Sequence, residues 1–330
     1  WDTASDELPV AKLLAVGSMS LLFLTVVVML ITPAASGYEI SIYNAYPWYF
    51  WALLMGGLLL SQLVLLRSAL GTDADRPYWR IGFLTGLLFN AILLFQPYIR
   101  GYPYYERADV LTHLGYIEII RQTGTVTGQN IYPNIHQFVL PLAYATGLEP
   151  MQVINTISAI FGLFSMLAFY ALVKTAYDRE TALVTLPFGL VVTGSGYMNP
   201  SPYVMSVLLT PFVLYLFFRE QVTHSLPIRF ALAVMTIAIV IYHPLTSLFL
   251  LIVFVLYSVT RHISGTGLWR MQSNLPKTSG SENISKVLLA AGVSWYYNFA
   301  GIIIRFNSVI LNTLNSERTE STLESTSETV

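Results

Sequence analysis

Acidic, imidazole and phenol side chains recur at helical spacing between residues 106 and 116. One stripe of such a helix would hold Glu106, Asp109, His113 and Tyr116, with apolar side chains beside it. Asp109 and His113, one turn apart, can share a hydrogen bond that keeps the carboxylate ionised and orients it as a general base. A helix-capping role for Asp109 fits the same pattern. The stripe therefore predicts a catalytic base or an ordinary capped helix.

The same residues also allow a metal site. Asp109, His113 and His136 supply the oxygen and nitrogen ligands that a divalent ion such as Mg²⁺ or Mn²⁺ accepts. A second nearby carboxylate is lacking unless Glu106, one turn earlier, provides it. No cofactor is required by the sequence, and a divalent metal is one alternative.

Cations and turn residues near the stripe are candidate ligands for a phosphate group. Guanidinium forks match phosphate oxygens, so Arg100 and Arg107 are candidate phosphate clamps, although contact with lipid headgroups is an equal alternative. His243 before Pro244 would be a turn residue or a phosphate ligand. Asn199, flanked by prolines, is typical of a turn and a weaker candidate ligand.

The composition places these residues beside a membrane. Hydrophobic residues make up 55% of the chain and charged residues only 11%, and the mean hydropathy is +0.60. These values are typical of proteins that cross a bilayer several times. The absence of cysteine excludes disulfides and thiolate chemistry, and we expect no nucleic-acid partner.

Apolar runs predict an all-α, polytopic transmembrane bundle of about nine spans, with interfacial juxtamembrane helices in an extracytoplasmic loop. The first run is long enough to be an anchor rather than a signal peptide. The predicted spans are residues 13–31, 48–66, 81–98, 153–173, 182–197, 203–218, 230–242, 245–260 and 287–304.

The bias of Lys and Arg toward cytoplasmic loops orients these spans. Arg67, Arg76 and Arg80 follow the second span, which places the N-terminus in the cytoplasm and the loop 99–150 outside. The apolar run 135–148 is too short to cross, and Pro141 in its middle is expected to interrupt a helix. The loop 99–150, the segment 196–202 and the turn at His243 should then meet on the extracytoplasmic face.

The spans and loops define the expected organisation of the chain. Two spans and a cytoplasmic loop occupy residues 1–80, and a transmembrane core with the outer loop 99–150 occupies residues 81–260. A cytoplasmic loop (261–286), a last transmembrane or interfacial helix (287–314) and a disordered Ser/Thr/Glu-rich tail (315–330) follow. The chain ends in a solvated tail or is a piece of a longer protein.

The order of residues in the outer loop resembles a known family. Asp109 near its start, His113 four residues later, Gly124 and the run Tyr132-Pro-Asn-Ile-His136 resemble the first extracytoplasmic loop of the GT-C superfamily of membrane glycosyltransferases, such as oligosaccharyltransferases and protein O-mannosyltransferases. The resemblance covers roughly residues 81–260. It implies that Asp109 is the catalytic carboxylate and that the donor is a sugar or oligosaccharide linked to polyprenyl phosphate. The second outer loop departs from the family, having Asn199 in place of an acidic pair.

The resulting hypothesis is a multi-pass cell-membrane glycosyltransferase whose active site is extracytoplasmic. Asp109 and His113 would be catalytic, and the donor phosphate would meet Arg100, Arg107 and His243. The acceptor would be a protein, lipid or glycan, and membrane lipid surrounds the chain. The substrate contacts expected are Glu106, Tyr116, Tyr132, His136 and Asn199. The alternatives are a transporter or flippase of lipid-linked sugars, weakened by spans that lack ionisable groups, and a non-catalytic membrane subunit of a surface-assembly complex.

Overall fold

A computed structural model describes most of the chain. The residues described are 9–37, 39, 41–102, 109–127, 130, 132–189, 200–265, 280–298 and 311. Within these ranges the regular structure is helical and contains no strand. The predicted tail 315–330 lies outside the described residues, as do Glu106, Arg107 and Asn199.

Eleven α-helices are described. They are α1 (Val10–Ile31), α2 (Trp48–Leu70), α3 (Trp79–Ile99), α4 (Asp109–Thr123), α5 (Pro133–Thr146), α6 (Pro150–Ala176), α7 (Arg179–Gly189), α8 (Pro202–Thr223), α9 (Leu226–Tyr242), α10 (Pro244–Gly265) and α11 (Gly280–Asn298). Short 3₁₀ turns at Ile42–Asn44 and Arg76–Tyr78 precede α2 and α3.

Five helices of the described part are long and apolar enough to cross a membrane. They are α1, α2, α6, α8 and the continuous stretch Arg76–Ile99 that contains α3. Two shorter apolar helical stretches are Leu226–Tyr242, which is α9, and Pro244–Thr260, which is the larger part of α10. These helices support the expectation that the chain is a membrane-spanning protein. The total of nine spans stays a prediction. The described part of the seventh helix has 11 residues, about half the length that a crossing needs.

The helices pack around three apolar cores. Helices α1, α2 and α3 enclose Phe50, Leu54 and Phe89. The second core lies where α2, α3, α6 and α7 meet, around Leu65 and Met166. The largest core joins α4 and α5 to α6, α8, α9, α10 and α11. Helices α4 and α5 therefore rest on the bundle and are held by it, because their apolar faces are buried in this third core.

Two proline predictions had different outcomes. His243 ends α9 and Pro244 begins α10, which confirms the expected break there. The expected interruption at Pro141 is wrong, because α5 runs continuously from Pro133 to Thr146. Within a helix Pro141 still forfeits one hydrogen bond and crowds the carbonyl of the preceding turn. Helix α5 continues past it while Ile135, Val139 and Leu140 are buried in the third core, so tertiary packing offsets the local cost.

Candidate functional site

A buried pair of imidazoles joins α4 to α5. Nδ1 of His113 lies 2.9 Å from Nε2 of His136, and the two side chains are 9% and 1% exposed. Helix α4 turns His113 inward with Val110 and Ile117, both fully buried, because positions three and four apart share a face. The helix is confirmed from Asp109 onward, and His113 faces the core; Glu106 and the side chain of Asp109 lie outside the described residues, so the full stripe stays a prediction.

Asn130 extends this pair into a chain of three side chains. Its amide nitrogen lies 2.8 Å from Nδ1 of His136, and Asn130 is 2% exposed. An amide nitrogen can only donate, so Nδ1 of His136 accepts and the proton of that ring sits on Nε2. Nε2 of His136 then donates to Nδ1 of His113, which leaves the remaining proton of a neutral His113 on its Nε2. This assignment follows from the amide orientation of Asn130.

Burial makes His136 a poor base. Its pKa falls from the ordinary 6.5 to about 3, mainly because burial disfavours the imidazolium and secondly because His113 is close. The ring is therefore neutral at physiological pH and can hold the tautomer described above. The ring of Tyr116 lies 5.4 Å from that of His136, so Tyr116 borders the pair, and its expected contact with substrate stays a prediction.

A second cluster forms around His243, between α9 and α10. Its ring lies 5.2 Å from the ring of Tyr132 and 5.0 Å from the ring of Tyr203. Leu245 N–H donates to Nδ1 of His243 at 3.3 Å. Burial lowers the pKa of His243 and raises the pKa of Tyr132. The neutral forms of both side chains are therefore favoured in this cluster.

Helix packing brings the two clusters to one end of the bundle. Asn134 donates from its amide to the carbonyl of Ala238 at 3.1 Å, which fixes the start of α5 against the last turns of α9. Tyr132 and His136 lie on either side of Asn134 in sequence, so the histidine pair and the His243 cluster share this end. Tyr132 of the outer loop and Tyr203 at the start of α8 therefore meet at His243. Residues 196–199 of the predicted segment 196–202 lie outside the described residues, and the membrane face stays a prediction.

Asp109 is the first residue of α4, one turn before His113. Its side chain lies outside the part of the chain that the structure describes, so the predicted hydrogen bond between Asp109 and His113 stays a prediction. The roles expected of Glu106, Arg107 and Asn199 also fall outside the described residues.

Arg100 has a partner that the sequence analysis did not identify. Its guanidinium pairs with the Glu39 carboxylate and also donates to the Pro33 carbonyl. The hydroxyl of Tyr102 donates to the same carboxylate. Hydrogen bonds from Arg100 and Tyr102 lower the pKa of Glu39. Arg100 is buried, so its described role is to tie the segment after α1 to the end of α3.

Metal binding finds no support among the described side chains. No group of three His, Cys, Asp or Glu residues in those ranges is close enough to hold an ion. The nitrogens of His113 and His136 that face each other are joined by a hydrogen bond.

Sequence reasoning missed Asn130, Tyr203 and Glu39. Asn130 precedes His136 by six residues and Glu39 precedes Arg100 by 61, so no local periodicity links them. Tyr203 was expected only as the start of a span. Tyr203 alone could have been found from the sequence, because it is an aromatic residue at the start of a span whose end was expected on the same face as His243.

Comparison with protein-family models, curated proteins and solved structures finds no match to this chain. The fold and the site define the class on their own. This is an all-helical protein, in the part described, with five helices able to cross a membrane and a neutral imidazole and phenol cluster at one end of its bundle.

Proposed function

We propose that this chain is an integral-membrane glycosyltransferase that takes a sugar from a polyprenyl-phosphate donor. The observation that carries the proposal is the ordered His113–His136 pair, which begins one turn after Asp109 and lies at the same end of the bundle as His243. The resemblance of the loop 99–150 to that of GT-C enzymes adds a catalytic role for Asp109. Membrane-crossing helices suit a donor whose carrier is a lipid.

The proposed step is a displacement at the anomeric carbon. Asp109 accepts the proton of an acceptor hydroxyl as the acceptor oxygen forms its bond to the anomeric carbon. The bond from that carbon to the phosphate oxygen breaks, and the polyprenyl phosphate leaves with the electron pair. His113, held by His136 and Asn130, would orient the carboxylate through its outer ring nitrogen, and His243 and Arg107 would receive the leaving phosphate. Arg100 is left out because Glu39 already engages it.

The distribution of cations supports an extracytoplasmic site. Exposed cations at the opposite end of the bundle define a basic end, which comprises Lys12, Arg67, Arg76, Arg80, Lys174, Arg179, Arg219 and Arg229. Helix α3 starts at this end and finishes near Arg100. Helix α6 runs antiparallel to α3, since Trp79 at the start of α3 stacks on Tyr170 late in α6 at 5.6 Å, and Leu94 further along α3 lies against Gly162 earlier in α6. By the bias of basic residues toward the cytoplasm, the basic end is proposed to be cytoplasmic and the histidine pair extracytoplasmic.

Transfer of a radiolabelled sugar from polyprenyl-phosphate donors tests the proposal in membranes that contain the full chain. We expect the wild-type chain and Glu118→Gln to be active and Asp109→Asn to be inactive at matched expression. Glu118 is the matched control because it is a carboxylate on the same helix, paired to Arg121 at 2.8 Å on the surface. Retained activity in Asp109→Asn would remove that residue from the mechanism. Movement of labelled donor across vesicles without transfer would replace the enzyme with a carrier.

A further inference from the structure

Helices α1 and α3 run parallel in a fixed register. Ser18 donates from its hydroxyl to the Thr85 hydroxyl at 3.1 Å, and Gln96 contacts the sulfur of Met29 at 4.0 Å. Arg100 donates to the carbonyl of Pro33. Each of these pairs is separated by 67 residues. Lys12 therefore lies level with Trp79, and residue 13 lies level with Arg80.

A groove of about 490 Å³ runs between these two helices. Met19, Phe23 and Val26 line it from α1, and Leu84 and Leu88 line it from α3. Its lining is open to the surroundings, since Phe23 is 68% exposed and Leu84 is 56% exposed. Thr85, the hydroxyl residue of the lining, donates to backbone carbonyls of its own helix. The groove is therefore an apolar surface that a hydrocarbon chain can cover.

Two cations stand at one end of the groove. Arg80 lines it directly, and Lys12 lies on the stripe of α1 that continues to Met19 and Phe23, which are seven and eleven residues further on. Both side chains are exposed. Within the described ranges, no carboxylate forms an ion pair with either cation, whereas Arg67 and Arg76 at the same end are paired to Asp75 and Asp73. The guanidinium of Arg80 rests over the Trp79 ring at 5.9 Å.

We propose that this groove binds one anionic glycerophospholipid. Its phosphate would lie between Arg80 and Lys12, because guanidinium and ammonium groups donate to phosphate oxygens and the headgroup's net negative charge favours a cationic end. One acyl chain would lie along Met19, Phe23 and Leu84. From the level of Arg80 to Val26 the groove covers 13 residues of helix, roughly 20 Å. One leaflet of hydrocarbon is about 15 Å deep, so the groove accommodates a chain along its depth.

This lipid site is independent of the proposed transferase activity. The groove is lined by residues of α1 and α3, whereas the histidine pair joins α4 to α5, and neither histidine belongs to that lining. The cations select the headgroup and the groove selects the chain, so each can be altered separately.

Native mass spectrometry of the detergent-purified full chain tests the proposal. The probes are phosphatidylglycerol and phosphatidylcholine with identical acyl chains. We expect one phosphatidylglycerol to bind more tightly than any further lipid and more tightly than phosphatidylcholine. Arg80→Gln and Lys12→Gln should each weaken this first binding about fivefold. Arg219→Gln, which removes an exposed cation of the basic end on α8, should leave the first binding unchanged.

A second pair of variants tests the groove itself. Leu84→Trp fills it with an indole, and Leu59→Trp places the same ring on α2 at a residue that is equally exposed, 56%. We expect only Leu84→Trp to remove the first phosphatidylglycerol, with the melting temperatures of the two variants compared to confirm folding. Three results would each overturn the proposal. They are an equal loss of phosphatidylglycerol binding in Arg219→Gln and Arg80→Gln, equal binding of the two lipids, and no difference in binding between the two tryptophan variants.

Discussion

His113 and His136 meet through Nδ1 and Nε2 at 2.9 Å although 23 residues separate them in the chain. This contact fixes α4 against α5 and, with Asn130, sets the protons of both rings. It orients the His113 imidazole one turn from Asp109, and its effect on folding stability can be measured without an activity assay.

The neutral state of His136 predicts a stability that falls in acid. The folded pKa is about 3 and the unfolded value is 6.5. Below pH 6.5 the unfolded chain takes up a proton that the folded chain refuses, so the free energy of unfolding decreases as pH falls from 6.5 toward 3. At pH 5 the loss from this residue is about 2 kcal/mol. Thermal unfolding in detergent between pH 7 and 4 measures it.

The matched variants for this experiment are His136→Gln and His224→Asn. His224 is exposed and has a positive φ of 49° that asparagine tolerates. We expect His136→Gln to reduce the pH dependence, leaving the part that comes from the lowered pKa of His243, and His224→Asn to keep it. An unchanged slope in His136→Gln would show that His136 is not the group that titrates.

Asn130→Ala should destabilise the site by removing the donor to His136. The Nδ1 acceptor of His136 would then be buried without its partner, at a cost of about 1–3 kcal/mol. Thr127→Ala alters the same segment without touching that bond, because Thr127 contributes its backbone carbonyl to Asn130. The melting temperatures of the two variants give the comparison. Nitrogen NMR of labelled histidine should also show the proton of His136 on Nε2 in the wild-type chain.

Adjacent glycines of α2 provide a test of the α1–α2–α3 core. A Cβ on Gly57 would lie 2.0 Å from the ring of Phe89, which is fully buried and cannot move aside freely. Gly57→Ala should therefore destabilise the chain by about 1–3 kcal/mol through overpacking. A Cβ on Gly56 meets Leu21 at an ordinary 3.5 Å, so Gly56→Ala should be neutral or stabilising. Equal melting temperatures for the two variants would contradict this packing.

The junction of α8 and α9 depends on a buried carboxylate. Arg229 donates from Nε and Nη2 to Oε1 of Glu220 at 3.0 and 2.7 Å, and Glu220 is 3% exposed. Arg229→Ala leaves this carboxylate without its cation and should cost about 1–3 kcal/mol. Arg219→Ala removes an exposed arginine on α8 and should change stability little. Thermal unfolding of both variants measures the difference.

The proposed sidedness can be read by single-cysteine labelling, because the chain contains no cysteine. Thr125 follows α4 and Ala74 follows α2, and both are exposed. We expect a membrane-impermeant maleimide to label Thr125→Cys in intact cells and Ala74→Cys only after permeabilisation. The reverse pattern would place the histidine pair on the cytoplasmic side.

The sequence by itself determined the helical, membrane-crossing class, helix α4 with His113 on it, and the break between Tyr242 and Pro244. These features depend on local periodicity, on the length of apolar runs and on the backbone limits of proline, all of which act within a few residues. The same local rule gave a wrong result at Pro141, because the local cost of a proline is offset there by the burial of Ile135 and Val139 of α5 in the third core, which no local pattern reveals.

Only the tertiary structure decided which polar groups meet. Glu39 engages Arg100, Asn130 engages His136, and Tyr203 packs against His243. Each contact joins residues on different elements, whose relative placement follows from the fit of buried apolar faces in three dimensions. The 67-residue register of α1 and α3 arises in the same way, since packing fixes how far one helix slides along another.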